Sequence, residues 1–218
     1  MGYRVVCLSR AIGAGGEAIG RAVAERLGFR YFDDEVIALA SEKAGIDPAV
    51  VAKAEHHSSL LSRLMDALAA IPMDVERLLP LSEKSAYHSP SVRPSATVPE
   101  EELRRLIHAA IVEIADRGEA VIVAHAASIA LARRKDVLRI LVTAAVRTRS
   151  ERLWLDGSFL NEQEAATAVA ESDRERARYL ERFFDVSAEL PTLYDLVINT
   201  DALRIEQAVG VIVSAAAV

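Results

Sequence analysis

Short apolar runs alternate with segments of helical periodicity along most of the chain. Runs rich in β-branched and other apolar residues are typical of strands buried on both faces, and here they occupy residues 3–8, 30–32, 120–124, 137–143 and 194–199. Between and after these runs, apolar residues recur three or four positions apart, which is the spacing of an amphipathic helix. This alternation predicts an α/β fold with about five parallel strands and helices on both faces of the sheet.

Capping signals mark where several helices begin and end. Gly28 is predicted to end the first helix as a C-cap. Residues 97–100 have the sequence TVPE, a capping box that predicts the start of a helix ending near Arg117. Asn161 is predicted to cap a long charged helix that runs to about Phe184.

Residues 47–100 differ in composition from the rest of the chain. A helix start is predicted at Asp47, because Pro48 follows it in the first helical turn. Residues 56–100 then hold five of the seven prolines, three of the five histidines and eight serines. We therefore predict a helical insertion at 47–100 within a single domain that covers residues 1–218.

Charge and cysteine content narrow the classes of function. The 218 residues include 26 Lys and Arg against 32 Asp and Glu, a net charge of −6. General nucleic-acid binding needs a large basic surface, so this balance weighs against it. The single cysteine, Cys7, excludes an internal disulfide and a cysteine-rich zinc site. Because no apolar run is long enough to span a bilayer, we expect a cytoplasmic protein that binds neither nucleic acid nor membrane.

The glycine-rich segment after the first strand fits two phosphate-binding designs. Residues 13–18 match G-x-G-x-x-G/A, the dinucleotide fingerprint, with Asp33 or Asp34 as the ribose acceptor. The other design is a P-loop, in which backbone amides wrap a phosphate at a helix N-terminus. The spacing from Leu8 to Gly13 favours the P-loop, because a dinucleotide turn begins directly after its strand. A plain strand-to-helix turn is the third interpretation.

Ligands of parallel α/β sheets bind beyond the carboxyl ends of the strands. This rule directs attention to residues 9–18, 33–35, 125–128, 143–147 and 199–201. Arg147 is singled out by it. The wider segment 133–152 holds seven basic residues against two acidic ones, and we expect most of the others to lie on a solvated helix face.

Several motifs together resemble the cytidylate kinase-like family of P-loop nucleoside monophosphate kinases. They are Ser9 and Arg10 with IGAGG, then RLGFRYFDDEVI, AVIVAHAAS, SDRERARYLERFF and LYDLVINTDAL. Their order and spacing agree from residue 3 to about residue 210. The resemblance implies a P-loop NTPase-type three-layer sandwich and ATP-dependent phosphorylation of CMP or dCMP with Mg²⁺. It also implies a region that binds the monophosphate at 47–100 and a lid-like helical region at 157–184, and we expect a homodimer.

The resemblance assigns roles to residues of this sequence. The ATP phosphates would be held by the loop and by Arg176 from the lid, and Thr200 would lie near the adenine. The loop residues are Ile12, Gly13, Ala14, Gly15, Gly16, Glu17 and Ala18. The phosphate acceptor would lie near Asp33, Asp34, His125 and Arg147. The residues expected to act on the transferred phosphoryl group are Arg10, Asp33, Arg174 and Arg178. No protein ligand for a metal is predicted.

The loop departs from the Walker pattern at chemically important positions. Gly16 stands where the pattern has lysine, whose charge neutralises phosphate oxygens, and neither Glu17 directly after it nor Ala18 supplies the magnesium-binding hydroxyl. His125 replaces an arginine that the resemblance places after the third strand. Arg10 is the nearest cation that could replace the lysine; its alternative is a surface ion pair with a nearby acid.

Two hypotheses follow from these departures. The first is a kinase that transfers phosphoryl groups. The second is a nucleotide-binding sensor or scaffold of the same fold that has lost transfer. For Arg174 and Arg178 the plainer alternative is surface ion pairing with acidic neighbours on the same helix.

Overall fold

The structure, a computed structural model, describes residues 2–45, 100–123 and 126–217. The predicted insertion lies outside these residues except for Glu100. The capping residue Thr97 and the predicted acceptor residue His125 also lie outside them.

Five strands and seven α-helices are formed by the described residues. The strands are β1 (Val5–Arg10), β2 (Arg30–Phe32), β3 (Ala120–Val123), β4 (Val137–Thr143) and β5 (Leu196–Asn199). The helices are α1 (Gly16–Leu27), α2 (Glu35–Ala44), α3 (Glu100–Arg117), α4 (Ala127–Ala130), α5 (Val146–Leu155), α6 (Glu162–Phe184) and α7 (Ile205–Ala216). A short 3₁₀ helix covers Pro191–Leu193. None of these helices is long and apolar enough to cross a bilayer.

The five strands form one parallel sheet in the order β2-β3-β1-β4-β5. In register, Val5 of β1 pairs with Ala120 on one side and with Val137 on the other. All strands therefore end at the same edge of the sheet. The prediction of a five-stranded parallel sheet is confirmed.

A separate apolar core covers each face of the sheet, which makes the fold a three-layer sandwich. Alternate residues of β1 point to opposite faces. Val5 and Cys7 pack with α2, α3 and α4, whereas Val6 and Leu8 pack with α1 and α7. Cys7 is a buried free thiol, and burial raises its pKa well above the ordinary value. Helices on both faces confirm the predicted layer arrangement.

Helix caps agree with the sequence signals where the structure describes them. Gly28 ends α1 in the left-handed region, with φ of 69°. The Asn161 side chain accepts a hydrogen bond from the Glu164 amide at the start of α6. Helix α3 begins at Glu100 and ends at Arg117.

The strand boundaries differ from the predicted ones. β1 continues to Arg10, because the polar residues Ser9 and Arg10 still pair with β4. β5 begins at Leu196 rather than residue 194. There Asp195 binds the Arg139 guanidinium through both carboxylate oxygens, at 2.6 and 3.0 Å. The apolar runs in the sequence identified the buried centre of each strand, but they could not identify polar residues that continue the hydrogen bonding between strands.

Close packing of α1 on the sheet gives a test of the fold. A Cβ atom on Gly20 would lie 2.7 Å from Cγ2 of Val123, whereas a Cβ on Gly210 in α7 would meet nothing within 4 Å. We expect Gly20→Ala to destabilise the protein by about 1–3 kcal/mol through overpacking. The control Gly210→Ala should be neutral or stabilising by up to about 1 kcal/mol. Urea unfolding measures both; equal effects would contradict the packing described here.

Candidate phosphate-binding site

The loop between β1 and α1 bends sharply at two glycines. Gly13 and Gly15 have φ of 74° and 80°, in the left-handed region where side chains are disfavoured. Space is also short at Gly13, because a Cβ there would lie 2.7 Å from the backbone oxygen of Arg149. The first of these glycines thus lets the loop pack against α5.

Three successive loop carbonyls are tied to neighbouring side chains. The Thr200 hydroxyl donates to the Ala14 carbonyl at 3.0 Å. Two longer contacts of 3.4 Å run from Arg149 to the Ile12 carbonyl and from Arg152 to the Gly13 carbonyl. These ties set the orientation of the peptide planes in the loop.

The amides of the same peptides point the opposite way, because C=O and N–H are antiparallel in a planar trans peptide. Among the described residues, the amides of Gly13 and Gly15 have no acceptor, whereas the amide of Ala14 between them donates to the Ala11 carbonyl at 3.1 Å. The first-turn amides of α1 also lack intrahelical acceptors. Free donors at a helix N-terminus form an anion site, which the helix dipole strengthens. The loop therefore has the chemistry of a phosphate cradle.

Two arginines of α5 hold this arrangement together. Arg149 is only 4% exposed; it binds both carboxylate oxygens of Asp173 at 2.9 and 2.7 Å and donates to the Ala144 carbonyl at 3.0 Å. Arg152 donates to the Thr200 side chain at 2.9 Å and to its carbonyl at 2.8 Å. The expectation that these arginines lie on a solvated face is wrong, because each reaches inward to backbone carbonyls.

Arg147, the arginine singled out from the sequence, is exposed in the first turn of α5. It follows β4 as predicted, but the arginines that reach the loop are Arg149 and Arg152. Their spacing of three residues places both on one helix face. This spacing was the sequence signal that could have identified Arg149 and Arg152. The sequence analysis counted the basic residues of the segment and did not use it.

Arg10 packs against Gly16, the position where the Walker pattern has lysine. A Cβ on Gly16 would lie 2.5 Å from Cβ of Arg10, so the Arg10 side chain fills the space beside position 16. The Arg10 guanidinium forms an ion pair with Glu17, with 2.6 Å between Nη2 and Oε1. A cation therefore lies beside the first turn of α1, paired with an acid of that turn.

Asp33 and Asp34 follow β2 at the carboxyl edge. The Tyr31 hydroxyl donates to Asp33 Oδ2 at 3.1 Å, and burial together with the Asp33 charge raises the Tyr31 pKa. Asp34 occupies the N-cap position of α2 without a side-chain capping bond. Asp33 thus has a phenol partner, and Asp34 is exposed.

The predicted lid arginines on α6 differ in their surroundings. Arg174 and Arg178 are exposed, and neither takes part in an ion pair within the described ranges. Arg176 binds both carboxylate oxygens of Glu189, at 2.8 and 2.6 Å. Its charge is already compensated by a carboxylate in the structure.

Glu189 joins Arg176 to a buried polar cluster. The Tyr194 hydroxyl donates to Glu189. Burial and the neighbouring carboxylate raise the Tyr194 pKa to about 12. Burial alone would raise the Glu189 pKa, but its bonds to Arg176 and Tyr194 outweigh this and lower it. The cluster links α6 to the segment just before β5.

Comparison with known proteins agrees with this geometry. The model of the Cytidylate kinase-like family matches residues 5–202. A crystal structure of an uncharacterized protein from Eubacterium ventriosum ATCC 27560 aligns with a TM-score of 0.61 at 15% identity, covering 96% of each chain. Shikimate kinase from Bacteroides thetaiotaomicron aligns over 95% of each chain at 15% identity with a TM-score of 0.49. No curated protein matches significantly.

The sheet and its two helical layers define an α/β protein of the P-loop kinase-like class. Within that class, the chain belongs to the Cytidylate kinase-like family, whose model covers residues 5–202. Because β1 extends to Arg10, only two residues separate this strand from Gly13. The length of the loop therefore does little to exclude a dinucleotide turn. The tied carbonyls and the family match favour the P-loop instead.

The Thr200 hydroxyl provides a test of the loop ties. Thr200→Val keeps the shape of the side chain but leaves the Ala14 carbonyl without its donor and removes one of the acceptors of Arg152. We expect a loss of about 1–3 kcal/mol in urea unfolding. The control Thr167→Val, on the exposed side of α6, should cost less than about 0.5 kcal/mol. Equal costs would show that Thr200 does not restrain the loop.

The lowered pKa of Glu189 predicts a pH dependence. A carboxyl group with a depressed pKa in the folded state stabilises the protein above its unfolded value of 4.5, and this contribution is lost as the pH falls through the folded pKa. The difference in unfolding free energy between the parent and Glu189→Gln should therefore be largest near pH 7 and shrink below pH 4.5. Urea unfolding across this range measures it; a constant difference would contradict the pairing.

Proposed function

We propose that the protein is a nucleoside monophosphate kinase-like phosphotransferase that moves the γ-phosphoryl group of ATP to CMP or dCMP. The observation that carries this proposal is the loop whose carbonyls are tied to neighbouring side chains, so that the amides of Gly13 and Gly15 are free for phosphate oxygens. Membership of the Cytidylate kinase-like family supports the acceptor. Phosphoryl transfer requires mainly positioning and charge stabilisation, which are the properties that such a loop can supply.

In this proposal the loop holds the ATP phosphates. Residues 12–18 supply backbone amides, and Arg10 supplies the positive charge that lysine supplies in a Walker motif. Thr200 lies beside the loop and would be close to the adenine. The acceptor would bind near Asp33 and Asp34, at the end of β2.

Magnesium is expected to arrive with the nucleotide rather than on a protein site. Ala18 has no hydroxyl to offer, and the described part of the chain holds no group of three or more His, Cys, Asp or Glu arranged for a metal. The loop therefore suits ATP phosphates but does not suit a protein-held Mg²⁺. Bound to the phosphates and water, Mg²⁺ would neutralise phosphate charge.

Arg174 and Arg178 are the proposed lid residues. Both are exposed on α6, whose Asp173 is tied by Arg149 to the region of the loop. Helix α6 is thus anchored beside the site while two of its arginines stay available. Arg176 is a weaker candidate, because a phosphate would have to displace Glu189.

A nucleotide-binding sensor or scaffold is the second candidate. The space beside Gly16 is filled by Arg10, so a lysine at position 16 has no room unless Arg10 moves. The Arg176 charge is compensated as well. Both observations favour nucleotide binding without phosphoryl transfer. We therefore do not expect Gly16→Lys to restore activity.

Assay of ADP release tests the proposal. Purified protein with Mg²⁺ and ATP should release ADP when CMP or dCMP is added, at a higher rate than with other nucleoside monophosphates. Arg174→Ala and Arg178→Ala should each lower kcat/KM by roughly 10- to 150-fold, the loss of one charge-assisted phosphate contact of about 1.5–3 kcal/mol. The control Arg26→Ala, exposed at the end of α1, should leave the rate unchanged.

The outcomes separate the two candidates. If none of the nucleoside monophosphates stimulates ADP release, the kinase proposal is contradicted. Equal rates in the parent, Arg174→Ala and Arg178→Ala would contradict the role of these arginines. Thermal stabilisation by ATP or CMP in the absence of turnover would favour the sensor, since a ligand that binds only the native state raises stability. Absence of both turnover and stabilisation would reject both candidates.

A further inference from the structure

We infer that Glu17 is the counter-ion of Arg10 and that a ligand must displace it, so the loop selects polyphosphates over anions of low charge. This inference rests on the proposed function and adds a selectivity residue to its site. The juxtaposition that carries it is one ion pair, which spans the end of β1 and the first turn of α1.

The ion pair lies directly beside the phosphate cradle. Arg10 ends β1 and Glu17 is the second residue of α1, with 2.6 Å between Nη2 and Oε1. The aliphatic part of Arg10 passes Gly16, since a Cβ there would lie 3.1 Å from Cδ of Arg10. The guanidinium is therefore held next to the free amides of the helix start.

The ion pair does not satisfy Arg10 completely. Its Nε is buried and has no hydrogen-bond partner among the described residues. Its Nε therefore takes no part in the contact with Glu17, whereas a guanidinium can bind an oxyanion through two parallel N–H bonds. A phosphate that draws Arg10 away from Glu17 offers it a better set of partners.

Glu17 competes with any anion for the same positive region. Its carboxylate neutralises Arg10 and also benefits from the dipole of α1. An anion with a single charge would replace one unit of negative charge with another, so it gains little. A polyphosphate carries several charges and spans both the amides and Arg10, so its Coulomb energy outweighs that of one carboxylate.

A second cation is available to Glu17 when Arg10 is drawn away. Arg21 lies one helical turn further along α1, and an acid four residues before a base is the favourable order on a helix. Arg21 now stacks over the Tyr31 ring at 4.3 Å and forms no ion pair in the described ranges. Glu17 is 56% exposed, which leaves its side chain room to turn.

Binding of inorganic anions tests the inference without relying on turnover. Affinities of phosphate, pyrophosphate and tripolyphosphate are measured by calorimetry at low, fixed ionic strength for the parent, Glu17→Gln and Glu17→Ala. We expect phosphate to bind roughly tenfold more tightly to both variants and tripolyphosphate about threefold or less, so that the preference for tripolyphosphate falls. The control Glu25→Gln removes an equal charge from the exposed side of α1 and should keep the parent's preference.

Each outcome decides a different point. If tripolyphosphate binds the parent but the Glu17 variants bind each of the three anions no more tightly than the parent does, the inference is overturned and the proposed function stands. The inference is also overturned if Glu25→Gln changes the preference as much as Glu17→Gln does. If no anion and no ATP binds to any folded variant, verified by circular dichroism, both the inference and the proposed function fail.

Discussion

The binding loop depends on the outward restraint of its own carbonyl groups. A glycine-rich turn is flexible, and its free amides bind an anion well only when the turn holds them in one arrangement. Here Thr200 from the β5 end and two arginines from α5 bind three consecutive carbonyls. The geometry of planar peptides then directs amides away from these ties. Preorganised donors of this kind are what phosphate binding and transfer require.

The same side chains connect the loop to the rest of the carboxyl edge. Arg149 also binds Asp173 of α6, and α6 reaches the segment before β5 through Arg176, Glu189 and Tyr194. A change in the position of α6 is thereby coupled to the loop through Arg149. Arg174 lies between the anchored residues Asp173 and Arg176, Arg178 lies two residues further on, and both are exposed, as the proposed lid requires.

The sequence predicted the architecture better than it predicted the site. Strand number, parallel order and the caps at Gly28 and Asn161 follow from local patterns, and the structure confirms them. Side-chain partners do not follow from such patterns, because they depend on which elements meet in space. The basic segment before residue 152 could not show that Arg149 turns inward to Asp173. The pairing of Arg10 with a nearby acid was foreseen as an alternative, but its contact with Gly16 required the fold.

We expect the free amides of this loop to bind phosphate oxygens. Backbone ¹⁵N–¹H spectra of the full chain, recorded during titration with tripolyphosphate, test it most directly, because Gly13, Gly15 and Gly16 give resolved glycine signals after assignment. Direct hydrogen bonds should shift these three amides, while the buried amide of Gly20 on the same helix stays in place. Saturable binding that leaves the three loop glycines unshifted would contradict the account.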